Sequence, residues 1–243
     1  MSRRRNTGAK PGPTKPRRSR WRRWLMWILL LPPVLSVLWV LSYRYIDPPG
    51  SMVMLDRWWT RGAAQPLDHR WCAFQEFGPY LPVAVIAAED QRFLQHGGFD
   101  FVEIDKALQD AERGGRLRGA STLSQQVAKN LFLWDGRSWL RKGLEAWFTL
   151  WIEWLWPKQR ILEIYLNIAE TGEGMFGFCS ACQARFGRDC RELSPYNLAL
   201  LAATLPSPLK MRADQPTPYL HRRASWIVTQ AQQLGGPGLL QDM

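Results

Sequence analysis

The strongest pattern along the chain is an apolar run from Trp24 to Tyr43, WLMWILLLPPVLSVLWVLSY, with no charged residue inside it. At ~1.5 Å rise per residue such a helix covers roughly 30 Å, the depth of a bilayer's hydrocarbon, and Trp24, Trp27, Trp39 and Tyr43 fall where interfacial aromatics are expected. Beyond it the apolar spacing is helical. It predicts helices over 80–95 and 101–113, separated by His96, Gly97 and Gly98, and a helix from Thr122 to about Leu133 with the Thr122–Gln125 spacing of a capping box. A long helix is expected over 138–156, and Pro157 suits the first turn of another that ends at Ile168. Segments 176–186, 194–204 and 218–234 also read as helices, and alternating strands are scarce. The class is mainly α. Trp147, Trp151, Trp154 and Trp156, with Phe148, Leu150, Ile152 and Leu155, make the stretch after Glu145 apolar nearly all round, the pattern of a central core helix, with one end touching the membrane interface as the less favoured alternative.

Composition narrows the class. The chain has 243 residues, 46 % apolar and 22 % charged, which excludes a disordered chain and supplies a core, while four Cys are too few for a disulfide miniprotein. The net charge of +11 resides almost entirely in residues 1–23, which hold ten Lys or Arg and no acid; the rest carries 22 bases against 21 acids. A nucleic-acid-binding domain would itself be basic, so nucleic acid is not an expected partner. Ten cations precede the apolar run and Arg44 alone lies close behind it, so the basic tail is expected in the cytoplasm. SYRYIDPPG offers no small-x-small cleavage site, which predicts an uncleaved anchor with the remainder outside the cytoplasm. The expected organisation is a solvated basic tail (1–23), a transmembrane helix (24–43), a connector (44–54), a folded domain (55–236) and a short C-terminal tail (237–243).

Four blocks carry chemistry. In AAEDQRFLQHGG, Glu89 and Asp90 end an apolar helix, where burial would raise a carboxyl pKa toward the range of a general base; a solvated acid pair with His96 capping a turn is the plainer alternative. In GASTLSQQVAKN, Thr122, Gln126, Lys129 and Asn130 share one helix face, suited to a pyrophosphate or a sugar, and the free N–H groups of that helix start suit an anion; an ordinary exposed face has the same pattern. In RKGLE, Arg141 and Glu145 stand one turn apart, which taken alone is a surface ion pair worth ~0.2–0.5 kcal/mol. In KQRILEIYLN, Lys158, Glu163 and Asn167 lie among core-type Ile161, Leu162, Ile164 and Leu166. GGRLRGA (114–120) between the first two blocks reads as a mobile basic loop.

Together and in this order, these blocks resemble the peptidoglycan glycosyltransferase family, most closely its monofunctional, membrane-anchored biosynthetic members. The likeness runs from about Leu55 to Gly236 and continues through ETGEGMFG (170–177) and LLAATLPSPLK (200–210). It implies a lysozyme-like, two-lobed, mostly helical fold, with the smaller jaw lobe beside the membrane and a cleft between the lobes. It also implies polymerisation of lipid II, a disaccharide-pentapeptide on undecaprenyl pyrophosphate, into linear glycan strands in the bacterial cytoplasmic membrane, on its periplasmic face. By position, Glu89 resembles the general base that deprotonates the acceptor sugar's 4-hydroxyl for an inverting attack. Glu145 resembles the second glutamate, which assists pyrophosphate departure directly or through a divalent cation, Mg2+ or Mn2+; no organic cofactor is implied. Arg141, Lys129 and Lys142 would meet phosphate charge, and Asp90, Phe93, His96, Thr122, Gln126 and Asn130 match supporting site positions. The resemblance thus places Glu89 across a single groove from a cationic wall of Lys129 and Arg141, with Glu145 among it.

Leu123 and Ser124 stand where relatives often carry Ile and Thr. Cys179, Cys182 and Cys190 cluster where relatives usually have small or polar residues; in an oxidising compartment four Cys allow three complete pairings, of which Cys182–Cys190 is the preferred bond, and zinc is disfavoured by the distant Cys72. Ser207 to Lys210 matches the Ser-x-x-Lys of penicillin-binding transpeptidases, but no Lys-Thr-Gly occurs in the chain, so cross-linking chemistry is not expected. A lytic transglycosylase or muramidase, and a non-catalytic tethered glycan-binding protein, are the competing readings; the cations near the leaving group and the two glutamates argue for synthesis. Other cell-wall synthesis proteins are plausible partners.

Overall fold

The computed structural model describes residues 18–62, 66–114, 121–136 and 138–243. The basic tail up to residue 17 and the basic loop at 115–120 lie outside the described residues. Helix α1 (Arg18–Tyr43) carries the expected 20-residue span Trp24–Tyr43 and continues through Pro32 and Pro33. The chain divides into two compact units, one ending at Leu38 and the other comprising Trp39–Met243.

Within Trp39–Met243 the order is α2 (Met52–Arg61), β1 (Asp68–His69), α3 (Tyr80–Glu89), α4 (Phe101–Glu112), α5 (Leu123–Phe132), α6 (Trp139–Leu155), α7 (Lys158–Ile168), β2 (Glu170–Gly172), β3 (Met175–Phe176), α8 (Phe178–Phe186), α9 (Pro195–Thr204) and α10 (Pro218–Gln233). The three short strands form one sheet in the order β1-β3-β2, with β1 parallel and β2 antiparallel to β3. Helix starts follow the capping chemistry of the sequence: Ser51, Asp100, Thr122, Ser138, Ser194 and Thr217 each accept a hydrogen bond from a first-turn N–H. The capping box at Thr122–Gln125 forms in both directions.

Helix α3 has no polar face, since Leu81, Val83, Val85, Ile86 and Ala87 are all buried, because α9 and α10 both pack on it. Helix α5 packs against α6 and α7 through Leu123, Val127, Ala128 and Leu131. Side-chain hydrogen bonds fasten the segment leaving α1: Arg160 on α7 donates to the carbonyls of Tyr43 and Ile46 and to Asp47, and the Trp156 indole donates to Val40 O at 2.8 Å.

Two expectations need correction. The single helix over 80–95 stops at Glu89, and a separate 3-10 turn follows at Phe93–Gln95. Asp90 breaks it by leaving helical geometry (φ −159°, ψ 75°), which turns its carboxylate toward other elements. The Trp-rich helix α6 is not buried all round: Phe148, Thr149, Ile152 and Trp156 are covered, while Leu150 is 55 % and Trp154 76 % exposed. Its packing partners α5 and α7 cover only part of its circumference, and the rest keeps its apolar residues on the surface. The cysteines pair as Cys182–Cys190, the preferred bond, and Cys72–Cys179, which joins segments 107 residues apart.

Candidate active site

Glu89 terminates α3, and the apolar helix body behind it excludes water from one side. Its side chain is 16 % exposed and lines a hollow of about 480 Å3, shared with Asp90, Arg92, Asp100, Thr122 and Trp226. Glu89 Oε2 accepts a hydrogen bond from Gln126 Nε2 at 3.0 Å, and Arg223 on α10 approaches Oε1 to 4.0 Å. Burial pushes the carboxyl above its ordinary range; Gln126 and Arg223 oppose that change, and neighbouring Asp90 adds to it. The result is a desolvated carboxyl with a raised proton affinity at the edge of an open space, as a general base requires.

Gln126 itself lines a second hollow of about 210 Å3, with Arg57, Lys129, Asn130, Tyr165 and Glu170 among others. The Tyr165 hydroxyl donates to Gln126 Oε1 at 3.2 Å, and Arg57 pairs with Glu170 through two bonds of 3.0 and 3.1 Å. The acid thus lines one hollow and cationic Lys129 the other, and the Glu89–Gln126 hydrogen bond links a residue of the first to a residue of the second.

Asp90 and His96 hold this junction together. His96 Nε2 donates to Asp90 (2.9 and 3.1 Å), and His96 Nδ1 accepts from Gly98 N at 3.1 Å, which fixes the tautomer with the proton on Nε2. Asp90 Oδ2 also accepts from Leu123 N at 2.9 Å. The start of α5 is thus capped by a carboxylate of the chain itself, correcting the expectation of N–H groups free for an external anion. Thr122 Oγ1 donates to Gly98 O at 2.7 Å. Gly98 adopts φ +90°, and a Cβ there would lie 2.7 Å from the Thr149 methyl, so this corner needs glycine.

Lys158 closes the same corner from α7: its ammonium donates to His96 O (2.7 Å) and Glu153 (2.8 Å) and stands 4.4 Å from the centre of the Phe93 ring. Ser124 donates to Glu153 as well. Phe93 is fully buried, so its expected place among ligand-contacting residues is corrected: it is a packing platform beneath His96 and Lys158. Asn167 is likewise internal, exchanging two hydrogen bonds with the Cys72 backbone and donating to Glu163 O.

Glu145 is 3 % exposed and accepts from Arg141 Nη1 at 2.9 Å and from Lys142 Nζ. This trio forms as the third block implied but lines neither hollow, so Glu89, Lys129 and the Glu145 cluster do not share the single groove expected. Both Glu145 oxygens are engaged by cations, an arrangement that does not offer a metal ligand there. Asp90, His96 and Asp100 also bring ligand atoms within 4.8 Å of one another, but Asp90 is bonded to His96 and Asp100 caps α4 and pairs with Arg92.

Sequence reading missed Arg223, Tyr165, Arg57 and Trp226. Tyr165 lies inside the fourth block, where its apolar neighbours mark it as core. No motif distinguishes Arg223; only the packing of α10 on α3 brings it to Glu89.

A buried, primed carboxyl at the end of an apolar helix, against a capped polar helix with a cation on its open face, defines a helical glycosyl-transfer domain. Residues 59–232 match the family described as Transglycosylase, and the chain belongs to that family. It is similar to proteins named biosynthetic peptidoglycan transglycosylase: 56 % identical over 210 residues to that of Xanthomonas campestris pv. campestris (strain B100), covering 85 % of each chain; 55 % over 208 residues to that of Pseudomonas aeruginosa, covering 84 % of this chain and 90 % of the relative; and 52 % over 216 residues to that of Xylella fastidiosa (strain 9a5c), covering 87 % and 89 %.

Proposed function

We propose that this protein polymerises lipid II into linear glycan strands by inverting glycosyl transfer, releasing undecaprenyl pyrophosphate. One observation carries the reading: Glu89, a buried carboxyl with a raised proton affinity, opens into one hollow and is hydrogen-bonded to the wall of a second that holds Lys129. Oε2 is held by Gln126, which leaves Oε1 to take the proton of the acceptor's 4-hydroxyl as that oxygen attacks the donor's anomeric carbon. The bond from that carbon to the pyrophosphate oxygen breaks in the same step, and the negative charge of the leaving group is met by Lys129, with Arg141 and Lys142 recruited from the Glu145 cluster. A pyrophosphate leaves readily, so cations matter more here than the second acid of glycoside hydrolysis. Any divalent metal at Glu145 would have to compete with Arg141 and Lys142 for its carboxylate.

Helix α1 tethers the enzyme to the bilayer that holds its polyprenyl substrate, raising the effective concentration of each for the other. The ten cations before the apolar span Trp24–Tyr43 and the two disulfides after it both support a cytoplasmic N-terminus and an extracytoplasmic domain. Association with other cell-wall synthesis proteins belongs to the same reading.

Purified full-length protein incubated with labelled lipid II and a divalent cation is expected to yield polymer. Shortened strands from added glycan would indicate a lytic enzyme, and binding without turnover a scaffold. Glu89→Gln is expected to lower polymerisation by about 10²–10⁴-fold, the usual contribution of a general base. Retained polymerisation by a folded Glu89→Gln protein would remove Glu89 from the role.

A further inference from the structure

Glu89 works through its contacts, and the most constrained of these leads away from the hollow into the core. Gln126 presents its nitrogen to Glu89 Oε2 (3.0 Å) and its oxygen to the Tyr165 hydroxyl (3.2 Å). A primary amide can flip with little change in shape, and a flipped Gln126 would turn its oxygen toward a carboxylate, two acceptors face to face. Once Glu89 is protonated that repulsion is gone, because its O–H could donate to the flipped amide oxygen. What then opposes the flip is the Tyr165 O–H, which must find an acceptor and has Gln126 Oε1 in reach.

From this geometry we infer that Tyr165 is a positioning residue for the general base: through its hydroxyl it locks the amide of Gln126 so that nitrogen, not oxygen, faces Glu89. The inference rests on the reading of Glu89 as base and deepens it. Tyr165 is suited to the task because it is immobile, 2 % exposed on α7 between core residues Leu162 and Leu166, and its ring has no room to swing. Burial, with Glu89 nearby, holds its phenol well above the ordinary tyrosine range, so it remains a donor wherever Glu89 titrates. The groups that set Glu89's proton affinity come from two elements besides its own, Gln126 on α5 and Arg223 on α10, with Asp90 adjacent in the chain; Tyr165 on α7 stands behind Gln126. Of these Gln126 and Arg223 favour the carboxylate. Loss of the lock lets Gln126 turn and accept from the protonated carboxyl instead, and the base becomes harder to ionise.

The test is Tyr165→Phe in the full-length chain, a change that keeps the ring in its buried site. Losing one hydrogen bond of ordinary net strength corresponds to roughly a 3- to 10-fold drop in kcat, and the acidic limb of the kcat–pH profile is expected to move upward by up to about 1 in pH. Gln126→Met supplies the second arm: Tyr165→Phe added to it should cost nothing more, because the hydroxyl acts only through the amide. An unchanged acidic limb, or a Tyr165→Phe loss that persists undiminished in the Gln126→Met background, would overturn the inference and make the hydroxyl a direct substrate contact or a packing element. Glu89→Gln run alongside separates the two levels: if that variant polymerises normally the base assignment fails, whereas an inactive Glu89→Gln with an unmoved Tyr165→Phe profile rejects the lock alone.

Discussion

Asp90→Asn changes one oxygen to NH2 at the point where three segments meet, and the geometry sets how much this costs. The carboxylate accepts from His96 Nε2 and from Leu123 N at the start of α5. A neutral amide loses the interaction of a negative charge with that helix terminus, about 0.3–2 kcal/mol. It also keeps one acceptor oxygen where the carboxylate offers His96 two, at 2.9 and 3.1 Å. If its oxygen faces Leu123, its NH2 confronts the N–H of His96, and His96 cannot change tautomer without abandoning Gly98 N, which bonds to Nδ1 at 3.1 Å. Two buried donors then face each other across the shorter His96 contact, a penalty of about 1–3 kcal/mol. The sum is about 1–5 kcal/mol, which for a domain of this size lowers Tm by roughly 3–20 °C at ~2–4 °C per kcal/mol. Thermal unfolding of the full chain in detergent, followed by circular dichroism, measures it. A loss below about 0.5 kcal/mol, the range of ordinary surface substitutions, would refute the idea that this carboxylate ties α3 to α5.

Gly98→Ala is expected to destabilise by about 2–5 kcal/mol, combining positive-φ strain with overpacking against Thr149 and Glu153, while Gly97→Ala, whose added Cβ meets nothing within 4 Å, should stay near wild type; equal Tm values for the two would contradict the close approach at Gly98. Glu89→Gln, besides its loss of activity, should raise stability in a pH-dependent way. The folded-state pKa of Glu89 lies above its unfolded value, so the protonated form favours the native state at low pH and that advantage is lost as pH rises through the folded pKa. The variant's gain over wild type is therefore absent below the unfolded carboxylate pKa, grows above it and levels off once pH has passed the folded one. Its full size is ~1.4 kcal/mol for each pH interval of 1 separating the folded and unfolded pKa values. Denaturant midpoints of both proteins across the acid range check this, and a gain that instead shrinks with rising pH would reverse the sign.

Local chemistry determined much of this protein before any folding was considered. An uncharged run long enough to cross a bilayer, Ser, Thr and Asp at helix starts, and apolar spacing along α3, α5 and α7 are properties of consecutive residues, so the sequence marks the anchor, most helices and the carriers of chemistry, Glu89, Gln126 and Lys129 among them. Whether a carboxyl is a base, a cap or a salt-bridge partner depends instead on what approaches it from elsewhere in the chain. Glu89 and Asp90 are neighbours with identical charge, yet Asp90 is engaged by His96 and the start of α5 while Glu89 opens into a hollow under Arg223, 134 positions further along. Arg223, Tyr165 and the Cys72–Cys179 bond carry no local signature, because each acquires its meaning from a contact between distant segments. Sequence thus specified which groups the protein possesses, and only the packing of α5, α7 and α10 around the end of α3 decided which would be dehydrated and which paired, since burial and proximity are properties of the tertiary arrangement.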